Sequence, residues 1–262
     1  MGDFRVDVAA RWPRIGVGAL VLVLSACSGT VDGNAAAHQA AQEPGDDVRS
    51  IAQVLPEPAE LSVAVGAPVQ TESEGSAGGI DSLPNGMGDV FPGQCLGVHS
   101  PRMRRTFQNA PVTAAFEGEW ESSSESGELA DPNIRITAGV IELDSAASAH
   151  SWYSTFASQW QQCQGQTVTM ASAIAGSNER NAAQITDVAD TAGVLSAAVL
   201  VRAGVAEDTR EPLVKQRALT VASRFIVDVQ VVRVSTESPD HATDGRAVAV
   251  ARLIANRIVS TG

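Results

Sequence analysis

The sequence predicts an α+β domain: an antiparallel, twisted β-sheet with helices packed on one face, and one disulfide. Short clusters of Gly, Asn and Asp separate successive strand-like runs, and such short connections join antiparallel neighbours. Two other stretches repeat apolar residues at helical spacing. The elements follow the order helix, strand pair, helix, strand series, helix, which is typical of helices segregated from a sheet.

The amino terminus has the features of an export signal. Arg5, Arg11 and Arg14 precede the apolar run 15–24. That run is shorter than the roughly 20 residues that span a bilayer. Its length, its basic flank and the small residues after it indicate a secretory signal peptide over residues 1–26.

The run ends in Leu24-Ser25-Ala26-Cys27, which resembles the bacterial lipobox. The resemblance implies cleavage before Cys27 and acylation of its thiol with diacylglycerol, so that fatty acyl chains such as palmitate anchor the protein. Each buried methylene contributes about 0.8 kcal/mol, and two or three chains give firm attachment. We therefore expect a lipoprotein on the outer face of the cell membrane. The alternative is an ordinary signal peptide followed by an unmodified cysteine.

Residues 27–52 are predicted to be the lipidated cysteine and a flexible tether. They are rich in Ala, Gly, Asp and Gln and cannot bury enough apolar surface to fold. A coil of this length spans roughly 25–30 Å. His38 lies in it and is interpreted as solvated. Residues 53–262 form the predicted folded domain.

Charge and cysteine content restrict the partners. The net charge of −12 argues against nucleic acid and against electrostatic binding to anionic lipid. Membrane contact is therefore assigned to the lipid on Cys27. The remaining cysteines, Cys95 and Cys163, are an even number in an exported protein, which favours a disulfide. Two free thiols or a metal pair are the alternatives. No metal site and no cofactor are predicted.

The first part of the domain predicts short elements. Pro56–Gly66 has Pro and Glu in its first turn and a closing glycine, as a helix requires. A strand is expected at 67–71, a loop at 72–89 and a helix at 102–109. Arg102, Arg104 and Arg105 cluster in that helix. They are either a solvated face balancing nearby carboxylates or a contact for an anion or partner, and Arg102 and Arg105 are candidate cleft residues.

A strand pair and the clearest helix follow. Strands are predicted at 112–120 and 134–143, with a bulge near Gly139. Asp144-Ser145 caps the helix. Its apolar face comprises Ala149, Trp152, Phe156, Trp160 and Cys163. This face is interpreted as core packed on the sheet. A ligand pocket lined by Trp152 and Trp160 is the alternative, and Trp152, Phe156 and Trp160 are candidate cleft residues.

Four β-rich runs complete the sheet, at 167–174, 182–188, 194–205 and 213–234. The last exceeds the length of one ordinary strand and is expected to divide near Ser223-Arg224-Phe225, although one long bent strand is an alternative. A final helix is predicted at 240–259. Its apolar face comprises Ala247, Val250, Ala251, Ile254 and Ile258.

Three places in the sequence resemble the PknH-type extracellular sensor domain of mycobacteria and their relatives. They are Leu55-Pro56…Ala59-Glu60-Leu61…Val65-Gly66, Cys95-Leu96-Gly97-Val98, and Ala146-Ala147-Ser148-Ala149-His150…Phe156…Gln159-Trp160-Gln161-Gln162-Cys163. In that family the domain stands outside a receptor Ser/Thr kinase or alone as a lipoprotein. The resemblance implies the second kind, an antiparallel sheet with packed helices, and a ligand-binding cleft. It pairs Cys95 with Cys163. The kinase-linked member's second disulfide is absent, and no catalytic residues carry over.

No catalytic motif was found. The sequence has no Gly-x-Ser-x-Gly, Walker loop, His-Glu-x-x-His or Cys-x-x-Cys pattern. His150 is interpreted as a helix-surface or core residue, and His241 as part of a helix start. A Ser-His-Asp triad using Ser100 with His99 or His241 is the catalytic alternative, but no spacing supports it. We expect a non-enzymatic envelope module that binds a small molecule or a protein in a concave apolar groove. A docking lipoprotein with an exposed apolar patch and a cryptic hydrolase are the alternatives.

Overall fold

The computed structural model describes residues 53–73, 75–86, 88–122, 133–171, 180–202, 213–234 and 245–261. The predicted leader, Cys27, the tether and His241 lie outside them. The described helices are α1 (Pro58–Val65), α2 (Leu96–His99), α3 (Arg104–Phe107), α4 (Ala146–Cys163) and α5 (Arg246–Thr261). The strands are β1 (Val69–Ser73), β2 (Ala77–Gly78), β3 (Val90–Phe91), β4 (Val112–Ser122), β5 (Asn133–Leu143), β6 (Thr167–Ala171), β7 (Arg180–Thr191), β8 (Val194–Arg202), β9 (Leu213–Ala222) and β10 (Phe225–Val234).

One antiparallel sheet contains all the described strands, in the order β1-β4-β5-β10-β9-β8-β7-β6-β3, with β2 paired to β4. The strands from β6 to β10 run as a meander, and β5 pairs with β10 at the centre. The α+β class is confirmed. The run 213–234 divides as expected, because Ser223 and Arg224 form the turn between β9 and β10 and Ser223 adopts a positive φ of 54°.

The helices lie on both faces of the sheet, so the prediction of one helical face is wrong. On β10, Val227 belongs to the apolar cluster beneath α5, whereas Ile226 belongs to the cluster beneath α4. On β9, Ala218 belongs to the cluster beneath α5 and Leu219 to the cluster beneath α4. Adjacent residues of a strand point to opposite faces, so both faces of the central strands are buried. The near-continuous apolar runs of these strands are the sequence signature of that burial.

Helix α4 forms as its sequence predicts. The Ser145 hydroxyl accepts a hydrogen bond from the Ser148 backbone N–H at 3.1 Å and caps the first turn. The buried residues of the helix are Ala149, Phe156, Trp160 and Cys163. Gly165 follows the last turn with a φ of 76°, a conformation that favours glycine. Helix α5 likewise buries all five residues of its predicted apolar face.

Gly139 does not form the predicted bulge and instead makes room for a neighbouring side chain. The register between β5 and β10 is continuous through this residue, and the bulge on the other side of β5 lies between Val112 and Ala114 of β4. A Cβ at position 139 would lie 2.1 Å from Cδ of Arg102. The glycine therefore leaves room for the aliphatic part of that arginine to lie against the face of the sheet.

No helix in the described ranges is both long enough and apolar enough to cross a membrane.

Candidate functional site

A cleft of about 340 Å³ lies between the start of α2, helix α3 and the exposed side of α4. This volume is at the lower end of the range of small-molecule sites, roughly 300–1,000 Å³. The lining residues are Gly93, Gln94, Leu96, Gly97, Arg105, Thr106, Gln108, Asn109, Trp152 and Gln159. Most of these carry polar side chains, so the expectation of an apolar groove is wrong for this cleft.

The predicted disulfide joins two walls of the cleft. The Sγ atoms of Cys95 and Cys163 are 2.07 Å apart, and both residues are fully buried. Cys95 lies between Gln94 and Leu96, and Cys163 ends α4, which contributes Trp152 and Gln159. The bridge therefore fixes the segment before α2 against the helix that faces it.

The three candidate aromatic residues have different environments. Trp152 is half-buried and lines the cleft, whereas Phe156 and Trp160 are each 1% exposed and belong to the core. The ring of Phe156 packs against Phe107 at 5.3 Å and against Trp152 at 6.0 Å between centroids. Phe156 thus supports Trp152 from behind, and of the three only Trp152 has a surface that a ligand can reach.

The three arginines of the predicted cluster also differ in their contacts. Arg102 is buried and pairs with Glu117, and its backbone N–H donates to Oδ2 of Asp228 at 2.7 Å. Arg104 pairs with the exposed Asp81 at 3.2 Å. Arg105 is exposed, lines the cleft and has no ion-pair partner among the described residues. Arg102 is therefore a structural residue of the core, whereas Arg105 presents its charge to the cleft.

A buried ionic network lies beneath α2, on the same face of the sheet as α4. The Arg217 guanidinium donates to the Asp228 carboxylate at 2.7 Å and to the Val98 and Gly97 carbonyls at 2.9 and 3.0 Å. Arg217 also lies 5.5 Å from the centroid of Trp160. Arg217 and Asp228 are 1% and 3% exposed. The network ties the backbone of α2, and with it one wall of the cleft, to the centre of the sheet.

His99 and Ser100 do not form an accessible catalytic pair. Nδ1 of His99 lies 2.7 Å from the Ser100 hydroxyl, but both residues are buried. Burial, and then the nearby charges of Lys215 and Arg217, lower the pKa of His99 to about 3. An imidazole with this pKa is a weak base at neutral pH. His150 is exposed on α4. The described residues contain no cluster of His, Cys, Asp or Glu that fits a metal ion.

Sequence reasoning missed most of the polar cleft lining. Gln94, Gln108, Asn109 and Gln159 bring four side-chain amides to this cleft. One signal was present, since Gln159 follows Trp152 by seven residues and therefore lies on the same side of α4. The other three lie on short, irregular segments without periodicity. Gln94 precedes the disulfide-bonded Cys95, and Gln108 and Asn109 follow Phe107, which packs on Phe156.

A family model and a solved structure match this chain. The family model of the PknH-like extracellular domain matches residues 47–257. The crystal structure of the extracellular domain of PknH from Mycobacterium tuberculosis is similar, with 17% identity and a TM-score of 0.64 over 81% of this chain and 96% of that one. An uncharacterised protein from Mycobacterium smegmatis aligns with 12% identity and a TM-score of 0.36 over 79% of this chain and 96% of its own.

No curated protein matches the chain. The family model nevertheless covers most of the sequence, including all five described helices except the end of α5. The structural similarity to the mycobacterial domain shows that the two share a fold. The chain therefore belongs to the family of PknH-like extracellular domains.

Proposed function

We propose that the protein is a non-catalytic binding module of the cell envelope, a sensor-type domain that holds a small molecule in the cleft between α2, α3 and α4. One observation carries the proposal. The cleft combines a half-buried aromatic surface at Trp152 with several polar side chains, and the Thr106 hydroxyl among them has no hydrogen-bond partner among the described residues. A preformed concave site with a few convergent polar groups is the usual form of a ligand site.

The cleft is well suited to binding because its supports are rigid. The disulfide restrains the wall before α2, and Arg217 holds the carbonyls of Gly97 and Val98. Restraining a site in its binding geometry lowers the entropy lost when a ligand enters. The direct experiment is native mass spectrometry of the protein taken from its own envelope, because a bound molecule adds its mass to the chain.

A docking lipoprotein is the second candidate, and the exposed apolar residues bear on it. The large apolar residues with the greatest described exposure are Val63, Phe91 and Val259. They lie on α1, β3 and α5, elements of different parts of the fold. Single exposed apolar residues are normal on a protein surface. The cleft therefore supports the small-molecule reading more strongly.

We also propose that acyl chains on Cys27 attach the protein to the outer face of the cell membrane, with residues 27–52 as the tether. The lipobox resemblance and the membership of an extracellular domain family support this assignment. Lipidation requires the Cys27 thiol, so Cys27→Ala is expected to move the protein from the membrane fraction to the soluble fraction. Immunoblotting of the separated fractions measures this. Membrane retention of the variant equal to that of the wild type would rule out the anchor.

A further inference from the structure

We infer that the ligand of this cleft is a short oligosaccharide that carries a carboxylate or a phosphate group. The inference rests on the proposed binding function and specifies its ligand class. It depends on three properties of the lining: a set of side-chain amides, one accessible aromatic face, and one cation without a neutralising carboxylate.

The amides match a ligand with many hydroxyl groups. Each side-chain amide of Gln94, Gln108, Asn109 and Gln159 offers two donors and an acceptor. Gln94, Gln108 and Asn109 are exposed at the cleft, and Gln159 is half-buried there. The Thr106 hydroxyl, at the same cleft, is enclosed and has no partner there. A sugar hydroxyl both donates and accepts, so a ring of hydroxyls satisfies such groups better than a carboxylate or an alkyl chain.

Trp152 provides the apolar part of the contact. Its indole is half-buried and is supported from behind by Phe156. A sugar ring presents C–H groups on its faces and hydroxyls around its edge. A planar indole covers the ring face, while the surrounding amides reach the edge. Such an arrangement binds an amphipathic ring without a deep apolar pocket.

Arg105 indicates an anionic group on the sugar. Arg104 has Asp81 as its partner, but no lining residue of the cleft is an Asp or Glu that neutralises Arg105. A Cβ at Gly93 would lie 3.5 Å from a terminal nitrogen of the Arg105 guanidinium. The guanidinium therefore lies against the bare backbone of this glycine. An arginine in this position binds carboxylates or phosphates through paired hydrogen bonds.

The lining disfavours other ligand classes. Leu96 is the aliphatic residue of the lining, and it is buried, so the cleft offers little surface to an acyl chain. A metal or an organic cation would lack a carboxylate partner and would be repelled by Arg105. The cleft volume of about 340 Å³ also suits a compact ligand.

The test is an array of short neutral, uronic-acid-containing and phosphorylated oligosaccharides, with fatty acids and short peptides on the same array. The purified full chain is applied, and calorimetric titration follows with the saccharide that binds best. We expect an acidic oligosaccharide to bind. Trp152→Ala is expected to weaken it by about 10-fold or more, since aromatic anchors dominate binding sites.

Arg105→Gln tests the contribution of the anionic group separately from that of the rest of the saccharide. Loss of a hydrogen bond to a charged group corresponds to about 10-fold or more in affinity for the acidic saccharide. The affinity for its neutral counterpart should change little. The matched control is Arg252→Gln, which removes an exposed arginine from α5 on the other face of the sheet. The variants' thermal midpoints establish that each is folded.

The outcomes distinguish the ligand class from the function. A fatty acid or peptide that binds and is lost in Trp152→Ala, with no saccharide bound, overturns the ligand class and leaves the binding function in place. Equal affinity of the wild type and Arg105→Gln for the acidic saccharide overturns the anionic contact. Failure of every array member, together with protein that carries no added mass when taken from its envelope, overturns both proposals.

Discussion

Asp228→Asn is expected to destabilise the folded domain by about 3–5 kcal/mol, since it removes the carboxylate that neutralises a buried guanidinium. Arg217 and Asp228 are 2.7 Å apart and almost fully buried. Asp228 also accepts a hydrogen bond from the backbone N–H of Arg102, which has a positive φ of 56°. The substitution therefore weakens the support of two segments. Urea unfolding monitored by circular dichroism measures the change.

A surface ion pair gives the matched control. Asp81 is exposed and pairs with Arg104, and exposed pairs contribute little to stability. Asp81→Asn should therefore leave the urea midpoint nearly unchanged. A midpoint for Asp228→Asn equal to that of Asp81→Asn would show that the buried pair does not stabilise the domain.

Replacing both Cys95 and Cys163 with alanine is expected to cost about 4 kcal/mol, because the bridge closes a long loop in the unfolded chain. The two cysteines are 68 residues apart. For a domain of this size, such a loss lowers the melting temperature by roughly 8–16 °C. Differential scanning calorimetry of the wild type and the double variant measures the difference.

Chemical reduction of the wild type provides the control for the loss of the cysteine side chains. The reduced protein should melt near the double variant, because the same link is absent in both. The two cysteines are fully buried, so reduction must be completed in denaturant before refolding. Equal melting temperatures for the oxidised wild type and the double variant would contradict a stabilising role for the bridge.

Much of the fold was predictable because local patterns determine it. The spacing of Phe156, Trp160 and Cys163 predicts α4, and the β-branched runs predict the strands. The division of the last run at Ser223 was predictable from its length alone. The pairing of β5 with β10 was not, because about ninety residues of chain separate partners such as Gly139 and Asp228, and no local pattern specifies such a pair.

The candidate site was predictable only in part, for the same physical reason. Trp152 and Arg105 were identified from the helix pattern and the basic cluster, and both line the cleft. Phe156, Trp160 and Arg102 had the same appearance in the sequence but are buried in the core. Exposure depends on which side of each helix packs against the sheet. The sequence predicted helices on one face of the sheet, whereas helices lie on both faces of the sheet.

Native mass spectrometry of the protein isolated from its own envelope tests the central claim most directly. The account predicts a non-covalent added mass on the wild type, which is released on unfolding and is absent from Trp152→Ala. Arg252→Gln should retain it, because Arg252 lies on α5 and outside the cleft lining. An unliganded wild type, or a mass that persists in folded Trp152→Ala, would contradict the assignment of this cleft as the binding site.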